Sequence, residues 1–490
     1  MDNVKSKAVN GVIWVSIEKF GKQIIQFILG LIIARILTPE DYGIIGMLGI
    51  FMAISSAILD SGIGAALIQK KNRNNDDFIT AFFINIITGL FLYCLLFFSA
   101  PYISRFYNEP ILLSVTRIYA LTLLLNSLDC IQKAKLTIDF DFKSQAIIYI
   151  LALVLAGTIG LICAINNFGV WALVFYSLAE SIIRVFLTYF YTRWFPKGKI
   201  TIISFKHIFS FGYKVLVTSI LTTIYNNIYS LVIGKILHAH EVGIYNRSKN
   251  FSELPPTILG QILTRVAYPV FAEFQDDKEK LKKIYIKILS LETYLLMPIL
   301  SGLFILSEPL ILFLLQDKWR DCILLLQILC IGALWVPLEE LNINILYSKG
   351  KTGITLIFNI IEKILAISVL VFTIPFGIKA MCIGRSIMAF ISYVISCIFT
   401  RNKINTGILD YIKVFFRPFI QSFIMITAIY IVSNIVTNNI LLLLIGFLTG
   451  ITIYIIIGFI TNSEIQNELL NILKSKLRKG ALSNEKRTFI

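Results

Sequence analysis

The sequence predicts an all-α, polytopic membrane protein with about fourteen transmembrane helices, and three observations predict it. Hydrophobic residues make up 57% of the 490 positions and charged residues 15%, with a mean hydropathy of +0.79. A soluble domain carries about a quarter charged residues. Apolar runs of roughly 20 residues recur from end to end, each long enough to cross a hydrocarbon core of about 30 Å. Positive charge is also lopsided between alternate connections. Spans are placed near 11–37, 43–68, 78–99, 112–132, 145–165, 169–192, 208–236, 250–272, 288–315, 322–347, 353–374, 377–400, 416–437 and 440–461. With the N-terminus inside, the cytoplasmic segments hold roughly 29 Lys and Arg and the external ones roughly 7, as the positive-inside rule requires. The formal charge of +16 therefore reports topology rather than a nucleic-acid surface, and both termini are expected in the cytoplasm.

Each element follows from local chemistry. The run 11–37 is too long for the apolar core of a signal peptide and no cleavage site follows it, so it reads as a permanent helix. External connections such as 38–42, 166–169 and 437–439 are short, which leaves no room for a soluble domain. At 273–289, Leu281, Ile284, Tyr285 and Ile288 recur at helical spacing opposite Lys278, Lys282 and Lys283. In the tail, Leu469, Leu473 and Leu477 recur beside Lys474, Lys476, Arg478 and Lys479. Both stretches read as amphipathic helices on the anionic inner leaflet. The seven cysteines, Cys94, Cys163 and Cys397 among them, lack ligand spacing and read as small hydrophobes.

One internal repeat is visible. Residues 31–44 (LIIARILTPEDYGI) align without gaps on 231–244 (LVIGKILHAHEVGI). Leu31, Ile33, Ile36, Leu37, Gly43 and Ile44 recur at an offset of 200, and Arg35 meets Lys235. The chain thus divides into two six-helix lobes, 1–200 and 201–403, followed by a helix pair at 404–463 and a basic tail at 464–490. Parallel halves of this kind are a transporter signature, with the substrate site expected where the lobes meet.

Ionisable residues inside the spans sharpen that expectation. Lys19, Lys22, Arg35, Arg117, Arg184, Lys214, Arg265, Lys363 and Arg385 are basic; Glu18, Asp60, Asp129, Glu180, Glu292, Glu339, Glu340 and Glu362 are acidic. Each costs about 2.5–3.5 kcal/mol at a helix centre, so the deep ones must pair or line an aqueous cavity. All fall before residue 404, whereas 418–463 holds no ionisable acid or base, which marks the last two helices as a peripheral pair facing lipid. Glu18 with Lys22 and Glu180 with Arg184 are i,i+4 partners. Lys214 and Arg265 lack such partners, and with Lys22 they are the first candidates for a cationic site; Arg184, Arg117 and Arg385 follow. Glu18, Asp60, Glu180 and Glu339 are candidates for coupling to H⁺ or Na⁺. A cavity rich in cations suits a phosphate-bearing ligand.

Enzymatic motifs are few and poorly placed. Asp139-Phe140-Asp141 imitates a metal-binding DxD in a short inter-helix turn, and His238 and His240 form HxH with only His207 elsewhere. No Walker, HExxH or GxSxG sequence occurs, so no catalytic function and no bound cofactor is expected.

Several strings carry a family resemblance. The stretch 29–43, ending ARILTPEDYG, resembles the signature of the polysaccharide-transport (Wzx-type) flippases. DSGIGAALIQ and TAFFIN within 60–89, VGIYNRS at 242–248, RVAYPVFAEFQDD at 265–277 and DKWR at 317–320 follow in that family's order. The resemblance spans roughly 5–400 and is closest to colanic-acid, capsule and O-antigen exporters. It implies the multidrug/oligosaccharidyl-lipid/polysaccharide (MOP) superfamily and alternating access. The implied cargo is a polyprenyl-pyrophosphate-linked oligosaccharide, flipped across the bacterial cytoplasmic membrane for surface polysaccharide synthesis. Membrane lipids and polysaccharide polymerase machinery would be its neighbours. Alternatives are a lipid II flippase, a multidrug or cation antiporter of the same superfamily, and, less favoured for want of a large external loop, a polymerase or ligase.

Overall fold

The computed structural model describes residues 2–60, 62–461 and 465–468, and every regular element among them is a helix. In chain order these are α1 (Asp2–Ile36), α2 (Pro39–Leu59), α3 (Ile63–Gln69), α4 (Asn75–Tyr107), α5 (Ile111–Tyr119) and α6 (Leu121–Ile138). Next come α7 (Phe142–Ile165), α8 (Val170–Thr192), α9 (Ile202–Glu273), α10 (Lys278–Ile305) and α11 (Ser307–Leu315). The last six are α12 (Cys322–Ala333), α13 (Trp335–Ser348), α14 (Thr352–Thr373), α15 (Gly377–Ile404), α16 (Ile408–Ile435) and α17 (Asn439–Ile460).

Eleven segments of the described chain are long and apolar enough to cross a membrane, which makes this a multi-pass membrane protein. Two of the eleven, Leu216–Glu273 and Thr352–Ile404, are 58 and 53 residues long. The first bends at His238 (φ 74°, ψ −177°), where two helices join within α9; the second contains α14 and α15. The helix after the bend starts well before the residue 250 expected from hydropathy. The polar stretch 239–249 is helical because its backbone bonds are made within the helix whatever its side chains carry.

By packing, the chain forms two compact units, Met1–Asn246 and Arg247–Ile490. The repeat puts its boundary at 200 instead. Packing density and sequence repetition divide the chain by different criteria, and the stretch after His238 lies with the first unit because it packs against α2. That contact is close. A methyl group added to Gly43 would fall on the carbonyl of Ala239, and one added to Gly243 would fall on the carbonyl of Pro39. These are repeat-equivalent positions, so the crossing is reciprocal. Beside it, His240 Nδ1 lies 2.6 Å from Glu40 Oε1, joining another equivalent pair. α2 enters the crossing from a capping box, in which Thr38 Oγ1 accepts from the Asp41 amide at 3.3 Å and Asp41 Oδ2 accepts from the Thr38 amide at 3.0 Å.

Within the first unit, α7 packs between α1 and α8 through small residues. Ala152, Ala156, Gly160 and Ala164 are buried, with Leu29 of α1 against Gly157 and Tyr176 of α8 against Gly160. Close backbone approach replaces hydrophobic drive as the source of helix association in lipid. A second core gathers Ile63, Leu67, Phe82, Ile131 and Ile208.

In the second unit α15 packs against α12, α13 and α14. The pair α16 and α17 joins α10 and α11 around Tyr294, Leu306, Met425, Ile429 and Tyr454, and Tyr454 donates to the Tyr294 carbonyl at 2.8 Å. The outer surface of the pair exposes Phe419, Phe423, Phe447 and Leu448. The expected interfacial helix at 273–289 is instead the foot of α10. Of its apolar residues, Leu281 and Tyr285 are fully buried inside the unit, and Ile284 and Ile288 are half-buried. The expected tail helix lies outside the described residues.

Candidate functional site

A cluster of charged groups lies in the first unit, where α1, α2, α6, α7 and α8 each present polar side chains. On α6, Asn126, Asp129 and Lys133 recur at steps of three and four; on α8, Ser181, Arg184, Thr188 and Thr192 do the same. The two stripes face each other. Arg184 Nε donates to Asp129 Oδ2 at 3.1 Å, Nη1 to Glu180 Oε1 at 3.0 Å, and Nη2 to Asn126 Oδ1 at 2.5 Å. Ser181 Oγ donates to the same Asn126 oxygen at 3.2 Å, and Gln132 accepts from Thr192 at 2.7 Å farther along. Arg184 thereby bonds three protein acceptors, one from each guanidinium nitrogen.

Around this core stand less committed charges. Tyr149 of α7 presents its ring to Lys22 Nζ at 5.6 Å, Lys133 Nζ at 5.3 Å and the Arg184 guanidinium at 5.6 Å. Glu18 is within electrostatic reach of Lys133, Lys22 and Lys19, and Asp60, which caps the end of α2, is within reach of Lys133, Arg184 and Asp129. Neither Lys22 nor Lys133 forms an ion pair among the described residues. The second oxygen of Asp129, Oδ1, is buried without a hydrogen-bond partner. The cluster therefore offers two ammonium groups across an aromatic face, backed by carboxylates that can hold a proton or a small cation.

The remaining candidates are dispersed. Arg117 is half-buried, donating from Nε to the Phe97 carbonyl at 3.4 Å and stacking on the Phe97 ring at 4.4 Å. In the second unit Arg385 pairs with Glu253 at 2.5 Å, with Lys249 nearby. Arg265 is exposed and makes no ion pair among the described residues. Lys214 lies on α9, but its side chain falls outside the described residues. Glu339 neighbours Glu340, Glu362 and Lys363, with Lys363 bonded to Glu362 at 2.7 Å. Glu292 is 1% exposed, and its Oε2 is buried without a partner.

The enzymatic look-alikes have structural roles. Asp141 Oδ1 accepts from the Ser144 amide at 3.1 Å and so caps α7, while Phe140 takes a left-handed turn (φ 56°). His238 occupies the bend in α9 and His240 bonds Glu40, so the two histidines serve separate ends. Among the described residues no cluster of three His, Cys, Asp or Glu side chains is arranged to hold a metal ion.

Sequence reasoning missed Lys133, Tyr149 and Asn126. The available signal was the stripe 126/129/133, which carries the polar face of α6 one residue past the hydropathy boundary at 132.

Similarity to known proteins agrees with this architecture. Residues 32–324 match the polysaccharide biosynthesis protein family. An uncharacterized membrane protein in the cps region of Klebsiella pneumoniae is 28% identical over 91% of this chain and 94% of its own length. The lipopolysaccharide biosynthesis protein WzxC of Escherichia coli (strain K12) is 26% identical over 75% of each chain. The teichuronic acid biosynthesis protein TuaB of Bacillus subtilis (strain 168) is 25% identical over 72% of this chain and 74% of that one. The lipid II flippase MurJ in an inward closed conformation shares the fold with a TM-score of 0.74, over 92% of this chain and 98% of that one, at 16% identity. An inward-facing MATE family multidrug resistance transporter of the MOP superfamily follows at 0.62, over 81% and 98%, at 15% identity. With a family match over more than half its length, this chain belongs to the polysaccharide biosynthesis protein family.

Proposed function

We propose that the protein is a flippase that moves a polyprenyl-pyrophosphate-linked oligosaccharide from the inner to the outer leaflet of the bacterial cytoplasmic membrane, for surface polysaccharide synthesis. The observation that carries this reading is the pair of ammonium groups, Lys22 of α1 and Lys133 of α6, set over one Tyr149 ring of α7. Ammonium groups bind phosphate oxygens by charge-assisted hydrogen bonds, and an aromatic face between them suits a sugar ring. The pyrophosphate and glycan cross along the polar helices while the polyprenyl tail stays in lipid. Lys214 and Arg265 are the further cations assigned to the pyrophosphate. Asp129, with its unpartnered oxygen, together with Glu18 and Asp60, is assigned to the H⁺ or Na⁺ whose movement drives the cycle. The chain does no bond chemistry itself and passes its cargo to polymerase machinery on the far side. Charge asymmetry supports fourteen crossings with both termini cytoplasmic.

The test is surface glycan production in a flippase-deficient strain, with membrane abundance measured in parallel. Lys22→Ala with Lys133→Ala is expected to abolish glycan at normal abundance, and Lys22→Arg to keep part of it, since charge survives while geometry changes. Lys214→Ala and Arg265→Ala are scored beside them. Loss of glycan with unchanged susceptibility to cationic drugs separates glycan export from cation efflux. Wild-type glycan in the Lys22, Lys133 double variant overturns the assignment.

A further inference from the structure

A second charged feature lies in the unit Arg247–Ile490, apart from the cluster just described. Where α10 and α16 begin, they enclose a cleft of about 1050 Å³. Six basic and three acidic side chains line it, an excess of three positive charges. Two of the lysines are already neutralised. Lys282 pairs with Asp410 at 2.7 Å and Lys287 with Glu468 at 2.9 Å, which ties α10 to α16 and to the segment after α17. Lys278, Lys283 and Lys413 form no ion pair among the described residues, and Arg417 stands one turn above Lys413 on α16.

The cleft is not polar throughout. Ile286, Tyr294 and Pro418 also line it, and Ile412 and Phe416 are shared with an adjoining cavity of about 570 Å³. That second cavity is walled by Phe415, Phe419 and Phe423 along the same helix, α16, and by Trp335 of α13. Cationic side chains thus crown an apolar trough, and the charges stand at the start of helices that run into the membrane. A soluble anion would need the first part and be indifferent to the second. A molecule with an anionic headgroup and an acyl chain uses both.

We propose that this cleft binds an acidic phospholipid of the cytoplasmic leaflet, its phosphodiester held by Lys278, Lys283 and Lys413 and one acyl chain seated along α16. The choice of leaflet rests on the topology proposed above; the choice of ligand rests on the cleft. The occupant is a resident bilayer lipid rather than the transported cargo. It would bridge the feet of α10 and α16, which are otherwise joined there by the Lys282–Asp410 pair.

The full-length chain, purified in neutral detergent, is titrated with phosphatidylglycerol, phosphatidylcholine and inorganic pyrophosphate, and bound species are counted by native mass spectrometry. The test variant is Lys278→Gln, Lys283→Gln, Lys413→Gln, which leaves both ion pairs of the cleft intact. Lys280→Gln, outside the cleft, is the control. A cation near a membrane surface contributes about fivefold to acidic-lipid binding, so the triple variant is expected to lose roughly a hundredfold in phosphatidylglycerol affinity. Phosphatidylcholine binding and the Lys280 control are expected to stay unchanged. Undiminished phosphatidylglycerol binding by the triple variant overturns the proposal, as does equal binding of phosphatidylcholine. Pyrophosphate that displaces the lipid and binds alone with equal affinity also overturns it, by making the cleft a free-anion site. Glycan export is scored separately: a wild-type chain that binds phosphatidylglycerol here but restores no glycan removes the flippase reading and leaves the lipid site standing.

Discussion

Replacing Arg184 with Met removes one guanidinium and strands two carboxylates. Asp129 and Glu180 are 8% and 18% exposed at their side chains and sit 3.1 and 3.0 Å from that guanidinium. Breaking a buried pair by deleting one partner costs about 3–5 kcal/mol, because the remaining charge keeps its desolvation penalty and loses its compensation. Arg184→Met is therefore expected to lower the unfolding free energy by about that amount, or two to four orders of magnitude in the equilibrium constant. Removing the carboxylates as well, by Asp129→Asn and Glu180→Gln, is expected to recover most of the loss, since a neutral replacement of the whole network carries no buried charge. Urea unfolding in detergent micelles, followed by tryptophan fluorescence, measures both variants. A single variant within about 1 kcal/mol of wild type, or a triple variant no better than the single, refutes the reasoning. Glycan export by the recovered triple variant would further show that Arg184 holds helices together rather than gripping cargo, and would remove Asp129 from the ion-coupling assignment.

Gly43→Ala and Gly243→Ala place a methyl group on a backbone carbonyl that cannot swing aside, so each is expected to cost at the upper end of the roughly 1–3 kcal/mol range for overpacking. The reciprocity of the crossing predicts similar losses for the two, read as membrane abundance and thermal stability. Charge-neutral substitutions on the outer surface of α16 and α17, such as Phe423→Leu or Phe447→Leu, are expected to leave glycan export intact; loss at normal abundance would bring those helices into the transport path. Reporter fusions at Asn167 and Asn438 are expected to read external and those at Lys199 and Lys403 cytoplasmic, and a reversed signal at Lys199 would overturn the orientation.

Much of the fold was legible because lipid imposes its rules on single segments. A helix must satisfy its own backbone and present an apolar surface, so hydropathy finds it without knowledge of its neighbours. The Glu180–Arg184 pair was legible for the same reason, since both ends lie on one helix. Its other half was not: Asp129 and Asn126 meet Arg184 across 55 and 58 positions of sequence. Arg385 teaches the same lesson, with a partner, Glu253, that lies 132 positions away. Lacking a neighbour at i±4 does not make a cation free. Lys133 was overlooked for a different reason, because a hydropathy boundary ends where polarity begins, while α6 continues to Ile138. The bend at His238 was hidden as well, since a left-handed backbone at histidine has no strong sequence signal.

The crossing of Gly43 and Gly243 has an implication for ancestry. Position 43 meets 239 while 243 meets 39, and position 40 meets its own equivalent, 240. Residue i touching j while j touches i is the mark of an isologous contact, which a dyad generates between two identical chains. Glu40 and His240, equivalent yet bonded to each other, stand on that dyad. A repeat that duplicated after fusion by chance would have no reason to preserve such self-complementarity. The contact is what a homodimer of half-length subunits would have used, later covalently joined and free to diverge, with a carboxylate kept on one side and an imidazole on the other. Fragments 1–200 and 201–490, expressed as separate chains, should then assemble in the membrane through the same glycine contact, and Gly43→Ala should prevent them from doing so.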